Sequence, residues 1–256
     1  MENYSLILDQ ERWSYSRIQQ FDKCPHSFFK HYICREDEDD TFLASYGTFI
    51  HQIHEMVFGK LLEKEDAPGF YLEYFDDYVI GRPPSPEIYR SYFRGGYEYF
   101  QNFPVFNGEV FKVEDDLEWD VLGNPFHGFA DLIMKEDSGL VLYDHKAKGL
   151  KPYSGRKKPT KTDLELDDYS RQLYLYAEAI KQKYGEYPVR MVFNCYRIQQ
   201  MIELNFYAEK LNEVLRWADE RIKEIRRCID WKPDIEFFKC RNLCGLNERC
   251  DYYDLM

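Results

Sequence analysis

One cysteine near the start of the chain, in Phe21-Asp22-Lys23-Cys24-Pro25, and three at its end, in Cys240-x3-Cys244-x5-Cys250, restrict the fold more than any other feature. If these four thiols serve one centre, the two ends of the chain must meet. Residues Met1 to Gln20 alternate polar and apolar character, with no basic flank leading into an apolar run. Neither a signal peptide nor a spanning helix is therefore expected. That reading places the protein in the cytoplasm, where thiols stay reduced and a distal cysteine set serves as metal ligands rather than disulfides. A link from Cys24 to Cys240 closes most of the chain into one loop, held by roughly 10 kcal/mol of chelation energy. Cys34, Cys195 and Cys228 remain, and are expected as buried thiols, since free cysteine behaves as a small hydrophobe.

With 256 residues and 44% apolar content the chain is able to bury a core as one large domain, and no repeat or low-complexity linker divides it. Ser14-Tyr15-Ser16 precedes apolar residues at near-helical spacing from Arg17 to Ile33, so Ser16 is expected to cap a short helix interrupted near Pro25. Ile50, Ile53, Val57, Phe58 and Leu61 form one stripe and predict an amphipathic helix over Gly47 to Leu62. Gly69 to Phe103 reads as helices around the loop Arg82-Pro83-Pro84-Ser85-Pro86, a helical insertion over about residues 60–105. Then the period changes to two. Glu109 to Leu122, Pro125 to Lys135 and Leu140 to Lys146 predict three antiparallel strands, parted by Gly123-Asn124 and Asp137-Ser138-Gly139. A helix over Asp167 to Lys183, strands over Val189 to Arg197 and Met201 to Tyr207, and a closing helix over Leu211 to Cys228 complete an α/β sandwich. Residues from about 232 to 256 hold the cysteine trio.

Chemistry concentrates on the strands. Asp131 lies in Gly128-Phe129-Ala130-Asp131 and Asp144 near the end of the next strand, so a hairpin brings both carboxylates to one sheet edge. Lys146 is two residues beyond Asp144, and period-two alternation puts both side chains on one face. Carboxylates suit Mg2+ or Mn2+, and a cation beside that metal orients the attacking water and offsets charge building on a phosphate. The D-x12-D-x-K spacing is weak alone. His51, off the apolar stripe of its helix, offers a nitrogen ligand, and Gln172 and Tyr176 share one helix face at i and i+4. A lone helix histidine is more often a packed or surface residue, and a Gln/Tyr pair more often core edge. His51-Gln52-Ile53-His54-Glu55 is not a zinc-protease H-E-x-x-H, and His54 is the alternative ligand if the helix is rotated.

The net charge of −12 argues at first against a polyphosphate partner. Distribution qualifies the sum: Lys146, Lys148, Lys151, Arg156, Lys157, Lys158 and Lys161 follow the carboxylates, while acid gathers in Glu36-Asp37-Glu38-Asp39-Asp40 and at Asp115-Asp116. The strip is either a phosphate-facing surface or a solvated loop. Most of the 22 tyrosines are expected in the core, with Tyr153 the one ring in the strip suited to a base contact.

Taken in order, Gly47-x3-His51-x3-Glu55, Gly128-x2-Asp131, Asp144-x-Lys146 and Gln172-Leu173-x2-Tyr176 resemble the RecB-type branch of the PD-(D/E)XK nucleases. The framing cysteines and the opening Ser14 to Pro25 resemble its iron-sulfur members, the AddB nuclease domain and the CRISPR-associated RecB-like exonucleases. The resemblance runs from about Trp13 to Cys250 and implies a restriction-endonuclease-like α/β fold, a mixed sheet flanked by helices. It implies His51, Asp131, Asp144 and the carbonyl of His145 as ligands of Mg2+ or Mn2+, Lys146 as catalytic lysine, and Gln172 and Tyr176 as substrate-orienting residues. Glu55, one helical turn from His51, would stand behind the metal or serve a second metal. The implied reaction is hydrolysis of DNA phosphodiesters at single-stranded or duplex ends by metal-activated water, an exonuclease activity of recombination, repair, CRISPR adaptation or phage DNA processing. Cys24, Cys240, Cys244 and Cys250 would hold a 4Fe-4S cluster, with zinc the competing occupant because four thiolates suit either. The trio departs from the family's C-x2-C-x5-C by one residue, and Ala147 stands where the family often has threonine. No G-x4-G-K-[ST] motif occurs, so any motor would be a separate helicase or recombination subunit. A catalytically silent DNA-binding or assembly module, or a structural zinc module, is the alternative. Intact Asp131, Asp144 and Lys146 favour the enzyme.

Overall fold

The computed structural model describes residues 4–10 and 12–255, so the leader expectation falls outside it at residues 1–3 and 11. Period-two alternation does give strands: β1 Glu109–Val121, β2 Asn124–Glu136 and β3 Gly139–His145, then β4 Arg190–Cys195 and β5 Gln200–Asn205. They form one sheet in the order β1-β2-β3-β4-β5. The β1–β2 connection is a two-residue turn whose residues, Leu122 and Gly123, both have positive φ (51° and 86°), the backbone that matches strand twist. All neighbours are antiparallel except β3 and β4. A parallel pair needs a long crossover, and α7, Lys161–Tyr184, supplies it. Thr160 and Asp163 form a capping box at its start, which explains why it begins well before Asp167.

The N-terminal helices are α1 Ser5–Leu8, α2 Tyr15–Lys23 and α3 Pro25–Phe28, the last running into a wide turn over Phe29–Ile33. Ser14 caps α2, its Oγ accepting from the Arg17 N–H at 3.1 Å, so the expected cap at Ser16 is corrected by two residues. Cys24 breaks the helix in extended backbone, and its Sγ accepts from the Ser27 N–H at 3.4 Å. Then follow α4 Phe42–Phe58, capped by Thr41, α5 Ala67–Tyr78 and α6 Pro86–Gln101. After the sheet come α8 Ala208–Arg227 and α9 Phe237–Asn242. Among the described residues no helix is long and apolar enough to cross a membrane.

Two layers cover the sheet. On one face α2, α7 and α8 bury Ile18, Leu173, Ile180 and Ile222 against Ile133, Leu142 and Phe193. On the other, α4, α5 and α6 pack through rings: Tyr46, Phe49, Tyr71, Phe75, Tyr99 and Phe100. Phe58 and Phe106 close the remaining strip over Leu132, Val141 and Tyr143. The tail after α8 returns to the N-terminal helices. Trp231 stacks on Phe28 at 5.8 Å, the Asp39 N–H donates to the Gly245 carbonyl at 2.8 Å, and Arg249 pairs with Asp39 at 2.8 Å.

The seat of α4 depends on one small residue. A Cβ on Gly96 of α6 would stand 2.6 Å from Tyr71 Oη and 2.8 Å from Tyr46 Oη, both fixed in the ring layer. Gly96→Ala is expected to lower stability by about 1–3 kcal/mol, the usual range for overpacking, in a urea melt. Gly47→Ala, where a Cβ meets nothing within 4 Å, should be neutral or stabilising. Equal melts for the two variants would contradict this account of the layer.

Candidate active site

Strand register sets three acids in a row. β1 pairs Val113 with Leu132 and Asp115 with Ala130, which puts Glu114 beside Asp131. β2 pairs Leu132 with Tyr143, which puts Asp131 beside Asp144. From α4, His51 reaches this row: its Nδ1 lies 3.5 Å from Glu114 Oε1 and 3.6 Å from Asp131 Oδ1. These three residues offer ligand atoms within 4.8 Å of one another. Two backbone groups of His145 tie the row together, its N–H donating to Asp131 Oδ2 at 2.6 Å and its carbonyl meeting His51 Nε2 at 3.1 Å.

The second half of the site is a cation held in place. Lys146 Nζ lies 2.8 Å from Asp144 Oδ2 and donates to Gln172 Oε1 of α7 at 2.9 Å. One turn further on, Tyr176 lies over Gly128, where a Cβ would come within 2.9 Å of its ring. Glycine in Gly128-x2-Asp131 is thus what lets α7 close on β2. The expected Asp131, Asp144, Lys146, Gln172, Tyr176 and His51 therefore converge, and the His145 carbonyl faces them.

Sequence reasoning missed Glu114, and the one further acid it named near the metal, as a group behind it or at a second metal, was Glu55. Glu55 stays exposed on α4. Glu114 has φ +44°, a strained value for a non-glycine residue in mid-strand, and the register slips between Val110 and Lys112. Strict alternation fails there, so its direction was not readable. The only trace was an acid triplet, Glu114-Asp115-Asp116, that breaks the alternation of the strand. Sequence also missed a buried network behind the row. His54 turns away from the site and stacks on the His145 ring at 4.0 Å. Asn194 Nδ2 is able only to donate, and it does so to Tyr99 Oη at 2.7 Å and to His145 Nδ1 at 3.0 Å. Tyr99 Oη in turn donates to His54 Nε2 at 2.8 Å. Burial pushes both imidazoles well below their ordinary range, so they remain neutral links joining α4, α6, β3 and β4.

Burial dominates the electrostatics. It raises Asp144 to about 6, against the opposing pull of Lys146, and raises Asp131 as well. For His51 burial alone would lower the pKa, but Asp131 and Glu114 outweigh it and carry it up to about 9. Burial likewise opposes the charge on Lys146, which Asp144 and Asp131 more than restore. Asp144 Oδ1 is buried without a hydrogen-bond partner, and the Asp144 Oδ2 contact is the ammonium of Lys146. An oxygen-rich set with one imidazole and an orphaned carboxylate oxygen fits a hard divalent cation.

Elsewhere the expectations divide. Cys24, Cys240, Cys244 and Cys250 are all partly buried. Burial raises Cys244 to about 11 and raises Cys250, with Cys24 and Cys240 adding to both, so the four thiols share one neighbourhood. Cys195 is buried and Cys228 partly so, but Cys34 is exposed, a correction that follows from its place where the chain leaves the wide turn after α3. Of the basic strip, Lys148 pairs with Glu165, Lys161 opens α7, and Lys151, Arg156, Lys157 and Lys158 are exposed. Tyr153 Oη donates to Asp167 Oδ1 at 2.8 Å.

The sequence pattern of the PD-(D/E)XK nuclease superfamily matches residues 12–251. The chain belongs to that superfamily, a class of metal-dependent nucleases. Among solved structures, one named "putative exonuclease" from Eubacterium rectale has the same fold, with a TM-score of 0.51 and 14% identity over 99% of this chain and 91% of that one. No curated protein sequence matches significantly.

Metal binding must displace protons from this site. At neutral pH His51 is protonated, because its pKa is about 9, whereas Asp144 is largely ionised. Calorimetric titration with Mn2+ in buffers of different ionisation enthalpy should show release of about one proton per ion, lost in His51→Ala. As pH falls through about 6, Asp144 adds a second competing proton, so release rises and affinity drops. Binding without proton release at neutral pH would remove His51 from the ligand set.

Proposed function

We propose that this chain is a Mg2+- or Mn2+-dependent deoxyribonuclease of the RecB-type branch, an exonuclease acting on single-stranded or duplex DNA ends. The observation that carries the reading is the meeting of His51, Glu114 and Asp131 beside the Asp144–Lys146–Gln172 chain. The name of the Eubacterium rectale structure agrees with exonuclease action. On this reading residues 1–256 are one nuclease domain with a helical insertion at about residues 60–105. It works in the cytoplasm, in recombination, repair, CRISPR adaptation or phage DNA processing, with any helicase a separate subunit.

His51, Glu114, Asp131 and Asp144 would hold the cation, together with the carbonyl of His145. A divalent cation there supplies Lewis acidity at the scissile phosphate and acidifies the attacking water. Lys146 stays an ammonium, because its carboxylate neighbours outweigh burial, and so offsets charge developing on the phosphate instead of taking a proton. Gln172 fixes the direction of that ammonium. Burial raises the Tyr176 phenol, so it remains a neutral hydroxyl donor to a substrate oxygen. End-labelled linear DNA should be lost with Mn2+ but not with EDTA, and Lys146→Ala should lower the rate at least about 100-fold. A covalently closed circle should survive. Cleavage of the circle would mean endonuclease action, and intact linear DNA with folded protein would leave a silent DNA-binding module.

Cys24, Cys240, Cys244 and Cys250 are read as ligands of a 4Fe-4S cluster, with zinc the competitor. Cys240 lies in α9, and Cys244 lies two residues beyond its end, after the helix has stopped at Leu243. Burial keeps the Cys244 and Cys250 thiols protonated, so ligation of a metal there must release their protons. Anaerobically purified protein should carry iron, and Cys24→Ala or Cys244→Ala should expose the two ends to protease while the sheet stays protected. Zinc without iron would select the other occupant, and unchanged end protection would refute the closing role.

A further inference from the structure

A cavity of about 280 Å³ opens between α2, α7 and α8, lined among others by Lys23, Lys148, Tyr169, Trp217 and Lys239. It adjoins the active site by helix geometry. Tyr169, Gln172 and Tyr176 stand at i, i+3 and i+7 along one face of α7, so Tyr169 is about one turn, roughly 5 Å, from the glutamine that holds Lys146. Lys148, two residues beyond Lys146, pairs with Glu165 of α7 and holds its ammonium 5.3 Å from the centre of the Tyr169 ring, so a base would share that ring with it.

We propose that this cavity is a nucleotide subsite, receiving one nucleotide of the substrate strand with its base against Trp217 and Tyr169 and its phosphate toward Lys23 and Lys239. The proposal rests on the deoxyribonuclease reading and adds where the strand runs. Three acids also line the cavity, and each is paired: Asp22 with Arg221, Asp168 with Arg171 at 2.7 Å, and Glu165 with Lys148. Lys23 donates to an amide, Gln19 Oε1, at 2.7 Å. Lys239 pairs with Glu236 at 2.7 Å, but both side chains are about half exposed, so that pair is weak and exchangeable. Ammonium groups beside partly exposed rings are the combination that binds single strands, phosphates by charge and bases by stacking. Two further cavities lie along α8; one is lined by Leu122, Glu213 and Arg216, the other by Phe21, Glu224 and Arg227, and neither includes a residue of the carboxylate site.

The test is binding of fluorescein-labelled oligo(dT) to the full protein, with Ca2+ in place of Mn2+, followed by cleavage of the same strand with Mn2+. Trp217→Ala should weaken binding about 10-fold and Trp217→Phe much less. Lys23→Ala with Lys239→Ala should weaken binding and lower the salt slope by about 1.4, as expected for two phosphate contacts on a single strand. Each should raise KM more than it lowers kcat, whereas Lys223→Ala, in a cavity remote from the site, should change neither. Lys23 is exposed and Lys239 is only partly buried, so a folding defect in Trp217→Ala does not block the test. Wild-type affinity, KM and salt slope in both sets of variants would overturn the subsite while leaving the nuclease standing. A wild-type protein that neither binds nor cuts oligo(dT) would overturn both.

Discussion

Asp144 is buried at the end of β3, its side chain keeping only 2% exposure, and such a carboxylate keeps its charge only beside a cation. Lys146 supplies one from just past the end of that strand, and the rest of the site follows from that buried pair. The ammonium needs a further partner, which fixes Gln172 and with it the position of α7 over the sheet. Asp131 brings a second carboxylate next to the first, and their mutual repulsion adds to burial in raising Asp144. One lysine does not balance three acids. His51 carries part of the remainder, which is why it is held protonated. A divalent ion would remove the surplus more completely, and would release the histidine from that duty. Breaking a buried pair of this kind costs about 3–5 kcal/mol, so the geometry is maintained by the fold and not by the substrate.

Rigidity behind the row has a separate source. The backbone of His145 touches both Asp131 and His51, so its placement sets the distance between them. Its ring is anchored by Asn194 and stacked on His54, and Tyr99 closes the ring of contacts. Asn194 also takes the Lys146 N–H on its own carbonyl at 2.9 Å, which extends the β3–β4 ladder to the lysine. One asparagine therefore holds the backbone of Lys146 and the side chain of His145 at once. The network is not fully satisfied: His54 Nδ1 and His145 Nε2 are buried without a hydrogen-bond partner, and an unmatched buried polar group carries a cost that the remaining bonds and the ring stacking must offset.

The strands, the helix types and the D-x12-D-x-K pair were legible because each rests on local periodicity, which hydrophobic burial enforces directly. Lys146 and Asp144 share a face for the same reason, and Gln172 and Tyr176 share theirs. What escaped was non-periodic or distant in sequence. Glu114 depends on a bulge and a left-handed residue, and neither leaves a mark in an alternating pattern. Tyr99 and Asn194 are ordinary residues in sequence, and only the fold makes them neighbours of His54 and His145. The cap at Ser14 shows the limit of resolution: Ser14 and Ser16 both suit a cap, and the choice is made where Trp13 joins β2 through the Trp13 N–H to the Pro125 carbonyl at 2.8 Å. That contact fixes the chain direction before the helix starts.

The net charge of −12 is reconciled with a polyphosphate substrate by where the acid is used. Within the run Glu36-Asp37-Glu38-Asp39-Asp40, Glu36 pairs with Lys30 at 2.7 Å and Asp39 with Arg249 at 2.8 Å. Glu38 accepts from Gln20, and the Asp39 backbone bonds Gly245. The densest acidic segment is therefore part of the joint between the chain ends, next to the four cysteines. Repulsion from this segment reaches only about a Debye length, near 8 Å at physiological ionic strength, so a strand held elsewhere does not feel its sum. Lys23 and Lys239, each one residue before a cysteine of the proposed cluster, face the other way into the cavity beside Lys146. The same closure that consumes the acid thus presents the base, and overall charge is a poor guide to what this surface attracts.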